Sequence, residues 1–388
     1  MALQTFDAND VVYSVSPEPE LPLGLQTWAV LRARVLDEIT GRPPDGAVSI
    51  TSTFSGISPR SATGGMVGFA GIPVRAFPQL KLMAYVVPIQ IVADGYILIR
   101  RNVHIPVTPN FPDAFAPVDL GDLQLHRMPT LISGRVVLNT GTAQQGVAGA
   151  VVSLTGIWRT PPPANLVVAP DPPNLVSLTP GAYWDRNAVG SQVQGLNFLG
   201  APGPDKQLLL QAFPDQFELR LSDRHLIAPN DILAIDTADS ARTEYITIQT
   251  IAGFSTDDQP ATITLNSPLR WVHRPGAIVH KIQFQNVGAP TPLTQDAIAG
   301  DICLFPTNLG SLGGAPLLSI QSGPNPVEYH AAAYFQATSD AQGFFRLPAI
   351  SRVAQCGLHV HDGVHTDIDV AYRPDYDDEV SRIDFVYQ

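Results

Sequence analysis

Cysteine, charge and helical periodicity are all scarce in this chain, and each scarcity removes a class of protein. Cys303 and Cys356 are the only cysteines in 388 residues, too few for the disulfide framework of small secreted domains. Cysteine prefers apolar interiors, so two buried free thiols in a reducing cytoplasm are the first expectation, with a bridge between them left open. Charged residues make up 15% against 45% hydrophobic, and the formal net charge is −12. The Lys and Arg side chains are scattered, with Arg100 and Arg101 the one tight basic pair, so nothing offers nucleic-acid phosphates a basic face. No apolar run is long enough to cross a membrane. The opening MALQTFDAND has neither a basic n-region nor an apolar h-region, so no secretory signal is expected.

Helix signals are equally thin. The stretches NLVSLTPGAYWD and TQDAIAGD are the best helical candidates, and neither carries an apolar stripe beyond one or two turns. Short runs rich in β-branched and aromatic residues dominate instead, among them VVYSV, WAVLRARVL, LKLMAYVVPIQIV, YILIRRNVHIPV, EYITIQTI, ATITL and LHVHDG. The 36 Pro and 31 Gly punctuate these runs rather than forming a low-complexity repeat, which is the composition of turn-rich globular β structure. Pro88 interrupts the longest run and is expected at an edge or bulge.

One strand-turn-strand pattern occurs twice. The first copy opens on LRARVLDEITGRPPDGAVSIT, passes through GGMVGFAGIPV and closes on VDLGDLQL. The second opens on ISGRVVLNTGTAQQGVAGAVVSLTG, finds its matching SDAQGFFRLPAI only at Ser339, and closes on IDFVYQ. In the second copy Gly134, Val136, Gly149, Ala150, Val152, Leu154, Ser339, Asp340, Gly343, Phe345, Leu347 and Pro348 carry the pattern. In the first, Gly46, Ala47, Gly68, Phe69, Ile72 and Pro73 keep part of it, and the aspartate of the second motif is missing. These motifs resemble the carboxypeptidase regulatory-like family of transthyretin-like sandwiches. The resemblance implies a supporting module with no catalytic residue in its pattern.

The expected fold is therefore all-β: two Ig/transthyretin-like β-sandwiches, the second interrupted by an inserted small β-barrel-like domain. The boundaries drawn are 1–128 for the first sandwich, 129–158 plus 327–388 for the second, and 159–326 for the insertion. Within the insertion, RTPPPANLVVAPDPPNLVSLTPG reads as an extended, semi-rigid arm. A compact β unit follows at about 207–286, where four or five short strands would close best as a small barrel. Its NDILAID, TEYITI and ITLNSPLRWVHRPGAIV segments look like a small barrel unit of phage tails and tail-like injection particles.

Candidate chemistry is sparse. There is no G-x-S-x-G elbow, no S-x-x-K pair and no Gly-rich phosphate loop. In LHVHDGVHTDID, His359 and His361 share a strand face by the two-residue period, and His365 and Asp367 could return on the partner strand. Three imidazoles and a carboxylate could ligate zinc. A polar surface hairpin around an Asp-Gly turn explains the same residues more simply, and no cofactor is expected. His225, His273 and His280 are expected at the rim or half-buried. The acidic run from Tyr372 to Arg382 lacks calcium-loop spacing and reads as a solvated loop.

Three functions follow as expectations. The first is a non-enzymatic structural or adaptor component of a phage tail or tail-like contractile injection particle: a fibre, spike, cap or baseplate accessory. It would assemble in the cytoplasm, leave as part of a particle, and dock other particle subunits, further copies of itself or a cell-surface receptor. The second is a cell-surface adhesin or carbohydrate-binding sandwich. The third is a metal-dependent enzyme using the His359, His361 and His365 hairpin.

Overall fold

A computed structural model describes residues 28–163, 168–184, 187–253 and 256–388. The expected VVYSV strand lies outside the described residues. The structure is almost entirely β, and the chain divides into two units at the boundary between Met128 and Pro129.

In the first unit, β1 (Trp28–Asp37), β3 (Ile57–Ser61), β4 (Met66–Gly71) and β7 (Val118–Leu125) form one sheet in the order β3-β4-β1-β7. A second sheet pairs β2 (Val48–Thr51), β5 (Tyr85–Ala93) and β6 (Ile99–Ile105) in the order β2-β5-β6. Alternation in β5 turns Val87, Ile89 and Ile91 inward while Val86, Gln90 and Val92 face out. The strand begins only at Tyr85, because the preceding Leu80–Met83 stretch is taken up in turns. Pro88 sits inside the strand, opposite Asn102 of β6, but beyond the point where β2 stops pairing at Gln90. One side of the strand there has no ladder to lose.

The second unit repeats this wiring. β8 (Thr130–Asn139), β9 (Gln144–Gly146) and β10 (Val151–Trp158) open it. β23 (Gln336–Thr338), β24 (Phe344–Ile350), β25 (Gln355–His361), β26 (Ile368–Tyr372), β27 (Val380–Arg382) and β28 (Phe385–Tyr387) complete it. β8 pairs antiparallel with β24 and parallel with β27 and β28, as β1 does with β4 and β7. The order β10-β25-β26 repeats β2-β5-β6. Gly65 and Gly343 occupy matching places. Both have positive φ, 77° and 83°. A Cβ on either would meet the carbonyl oxygen of Val35 or Val136 at 2.4 and 2.3 Å. The motif glycine of the first copy is therefore Gly65, three residues before the sequence-matched Gly68.

Between β10 and β23 lies the insertion, where the first unit has only the short turn from β2 to β3. Its strands are β11 (Val176–Thr179), β12 (Gln192–Phe198), β13 (Lys206–Gln207), β14 (Glu218–Leu221), β15 (Ile232–Ile235) and β16 (Glu244–Gly253). There follow β17 (Ala261–Leu265), β18 (Ile278–Ile282), β19 (Phe284–Pro292), β20 (Cys303–Leu304), β21 (Leu317–Gln321) and β22 (Glu328–Tyr334). Pairing runs β13-β18-β15-β16-β17-β14. It returns to its start where Leu208 bridges Leu221 and the Leu209 amide donates to the Arg220 carbonyl. Leu219, Leu221, Leu233, Ile246, Ile248, Ile263, Leu265 and Val279 fill the interior of this circuit. A neighbouring group of β11, β12, β19, β20, β21 and β22 buries a separate core around Val176, Val193, Leu318 and Ile320.

NLVSLTPG, a poor helix candidate that also reads as extended, holds a strand: Val176–Thr179 is β11, hydrogen-bonded to β20 and β22. Two expectations need correction. The Pro-rich lead-in, expected as an extended, semi-rigid arm, does more than space, since Leu175 enters the sandwich core together with Cys303 and Phe305 from later in the insertion. Burial of a large apolar side chain contributes about 1.5–3 kcal/mol, so these residues bind the insertion to the sandwich. The return boundary falls nearer Phe335 than 327, because β22 belongs to the insertion's sheet and β23 to the sandwich.

Candidate functional site

The β25–β26 hairpin places the sequence-selected histidines. In its antiparallel register His359 faces Asp369 and Val360 faces Ile368, which sets His361 beside Asp367. Alternation buries Leu358 and Val360 in the core and turns His359, His361, Asp367 and Asp369 to the opposite face. His361 Nδ1 lies 2.7 Å from Asp367 Oδ1, and His359 Nε2 lies 3.7 Å from Asp367 Oδ2. His359 Nδ1 lies 3.0 Å from Asp369 Oδ1. The two imidazoles stack with planes 8° apart and centroids separated by 6.4 Å. One donor atom from each of His359, His361 and Asp367 falls within 4.8 Å of the others, close enough to share an ion.

His365 is not part of this group. Its Nδ1 lies 2.6 Å from Asp362 Oδ2, and its ring stacks on Tyr387 at 4.8 Å. Asp362 also accepts the Val364 and His365 amides and so braces the turn. Burial opposes ionisation of Asp362, but the hydrogen bonds from His365 and the two amides outweigh it and hold its pKa down at about 2. The sequence period finds the two strand histidines. It cannot show that Asp362 captures His365 or that Asp369 stands behind His359.

A second polar cluster lies inside the insertion. Glu244 and Glu328 are both buried, at 0% and 1% exposure. Glu244 accepts the Arg270 and Trp271 amides, the Tyr183 hydroxyl at 3.1 Å and His273 Nε2 at 2.9 Å. Glu328 accepts the Tyr183 and Trp184 amides, Asn187 Nδ2 and His330 Nε2. His330 Nδ1 lies 3.0 Å from the Pro180 carbonyl oxygen. The Arg270 guanidinium meets the carbonyls of Ala182 and Tyr183 and lies over the Tyr183 ring.

This arrangement corrects the rim placement of His273, which is fully buried; His225 is exposed and His280 half-buried. Burial disfavours the charged form of His273, yet hydrogen bonds and charge from Glu244 and Asp236 raise its pKa above 6.5. The available sequence signal is strand parity. Glu244 shares the inward face of β16 with Ile246 and Ile248, and Glu328 shares that of β22 with His330.

The residues following those glutamates, Tyr245 and Tyr329, pair with each other across β16 and β22 and point outward. With Phe198 and Phe284 they make a chain of four rings at centroid separations of 5.2–6.1 Å. Phe198 is 48% exposed. Leu209, Leu210, Phe213, Phe217, Trp271 and Val272 are also exposed, on segments that pair through Ala212 and His273. An open cleft of about 990 Å³ lies between the 188–192 and 321–325 loops. In the acidic run, Tyr376 folds inward and exchanges hydrogen bonds with the Val353 backbone. Among the described residues no metal-ligating group of three forms there.

No protein-family model matches the chain, and no curated protein matches it. It is similar to the major pilin subunit of Bacillus cereus in two crystal structures, one of them a point variant, at 8% identity in each. The TM-scores are 0.18 and 0.17, over 92% of this chain and 99% and 98% of the pilin chains. Similarity at that TM-score carries no argument about fold or function.

Proposed function

We propose that the chain is a non-enzymatic structural or adaptor component of a phage tail or tail-like contractile injection particle. In this reading, two carboxypeptidase regulatory-like sandwiches support an inserted β unit that docks a partner subunit or receptor. The observation that carries it is the way the insertion is rooted. Its outgoing and returning strands are hydrogen-bonded to each other twice, first as β10 with β23 and then as β11 with β22. Leu175, Cys303 and Phe305 plug the sandwich core beside this neck, and the buried Asp301–Arg352 pair, 3.1 Å apart, adds a polar tie. Such a neck transmits force and holds orientation, and the exposed Leu210 and Phe213 supply apolar surface for a partner.

The test is co-sedimentation of the full chain with particles purified from its host. The chain is expected in the particle fraction, and Leu210→Asp with Phe213→Asp is expected to shift it to the free pool while leaving its circular dichroism unchanged. A wild-type chain wholly free in lysates that contain assembled particles would overturn the reading.

The ring chain of Phe198, Tyr245, Phe284 and Tyr329 favours a second reading, an adhesive surface that stacks sugar rings. Glycan binding lost on Tyr329→Ala would support it. Absence of binding across a broad glycan panel would remove it.

A further inference from the structure

We propose that His359, His361 and Asp367 form a site for one divalent transition-metal ion, zinc being the ion that best fits the donors, with Asp369 as the positioning residue for His359. The sequence alone suggests His359, His361 and His365 with Asp367; the structure gives His365 to Asp362 and sets the Asp369 carboxylate behind the first ligand.

The donors converge because strand pairing places them there. His359 and His361 are two residues apart on β25 and project to the same side, while Asp367 approaches from the start of β26. Zinc bonds to nitrogen and oxygen are about 2.0–2.2 Å long. Donor atoms within 4.8 Å of one another therefore need only small side-chain rotations to meet a common ion. His361 Nδ1 already points at Asp367 Oδ1, so an ion would replace the proton between them.

Asp369 gives the site its direction. A carboxylate 3.0 Å from His359 Nδ1 holds the proton on that nitrogen. The Nε2 lone pair is left on the side where Asp367 Oδ2 stands. A carboxylate bound to the far nitrogen of a histidine ligand is the usual support of a zinc site, fixing tautomer and ring angle together. Two imidazoles also discriminate against magnesium and calcium, which prefer all-oxygen sets. Three protein donors on an exposed face leave a fourth position for water or for a side chain of a second molecule. His365 supplies an internal control, since Asp362 and Tyr387 already hold it.

The experiment is calorimetric titration of chelator-stripped full-length protein with zinc sulfate at neutral pH. One ion per chain is expected. His359→Ala and His361→Ala should each weaken binding at least about ten-fold, and Asp369→Asn by a similar factor through loss of orientation. His365→Ala should leave affinity unchanged. All four side chains lie on one surface hairpin, two of them half-buried, and circular dichroism checks that each variant is folded. Equal affinity of wild type and the His359→Ala/His361→Ala double variant would overturn the site. Loss of binding in His365→Ala would overturn the assigned ligand set.

Discussion

Tyr183 connects two buried carboxylates: its amide donates to Glu328 at 2.7 Å and its hydroxyl donates to Glu244 at 3.1 Å. Burial, reinforced by Glu244, pushes its phenol well above the ordinary tyrosine range, so it remains a donor at any physiological pH. One residue, through its amide and its hydroxyl, thereby joins β22 of the neighbouring strands to β16 of the closed circuit.

Removing that hydroxyl leaves a Glu244 oxygen short of a donor in a buried site. Tyr183→Phe is expected to cost about 1–3 kcal/mol. Glu328→Ala strips the partner from two amides, Asn187 and His330, and should cost more, about 3–5 kcal/mol. Urea unfolding of both variants measures the difference, and a Tyr183→Phe protein as stable as wild type would contradict the role given to the hydroxyl.

His273 makes stability depend on pH in a defined direction. Its folded pKa is raised, so the folded state holds the proton more tightly than the unfolded chain does. The resulting stabilisation is complete below about pH 6.5 and is lost as pH rises through the folded value. Thermal unfolding followed from about pH 6 to about pH 9 should show this alkaline decline for wild type. His273→Gln should lower Tm at the acid end and flatten the slope.

Asp362 works in the opposite direction. With its pKa held at about 2, below the unfolded aspartate value, its contribution is full above about pH 4 and is lost as pH falls through about 2. Protection of the Val364 and His365 amides, both donors to Asp362, measured against their intrinsic exchange rate at each pH, should fall across that window. In Asp362→Ala, which removes the acceptor, that protection should be lost already at neutral pH.

Both thiols are free and buried, and burial raises Cys303 to about 11 and Cys356 to about 12. The thiolate is the reactive form, so native protein should resist iodoacetamide at pH 8 and take up two equivalents once unfolded. Prompt labelling of the folded chain would show that the sandwich core opens at Cys303 or Cys356.

Much of the local structure is legible in the sequence. The alternation in LHVHDG puts His359 and His361 on one face and Leu358 and Val360 on the other, and EYITI places Glu244 on the apolar side of its strand. The recurrence of a glycine before FFRLPAI and MVGFAG marks the tight approach to the first strand, although only the register identifies Gly65 as the counterpart of Gly343. Such features depend on neighbours within a few residues, where backbone geometry alone sets which way side chains point.

Long-range pairing decided the rest. Val176–Thr179 is a strand because β20 and β22 arrive from far along the chain to take its hydrogen bonds. Asp369 stands behind His359, and His365 does not join it, because the hairpin register and the Asp362 turn settle which partners meet. Glu244 and Glu328 remain in the interior because backbone amides from the 183–184 and 270–271 segments reach them. A buried charge is tolerated only where such partners converge, and their convergence depends on the whole fold rather than on any run of residues within it.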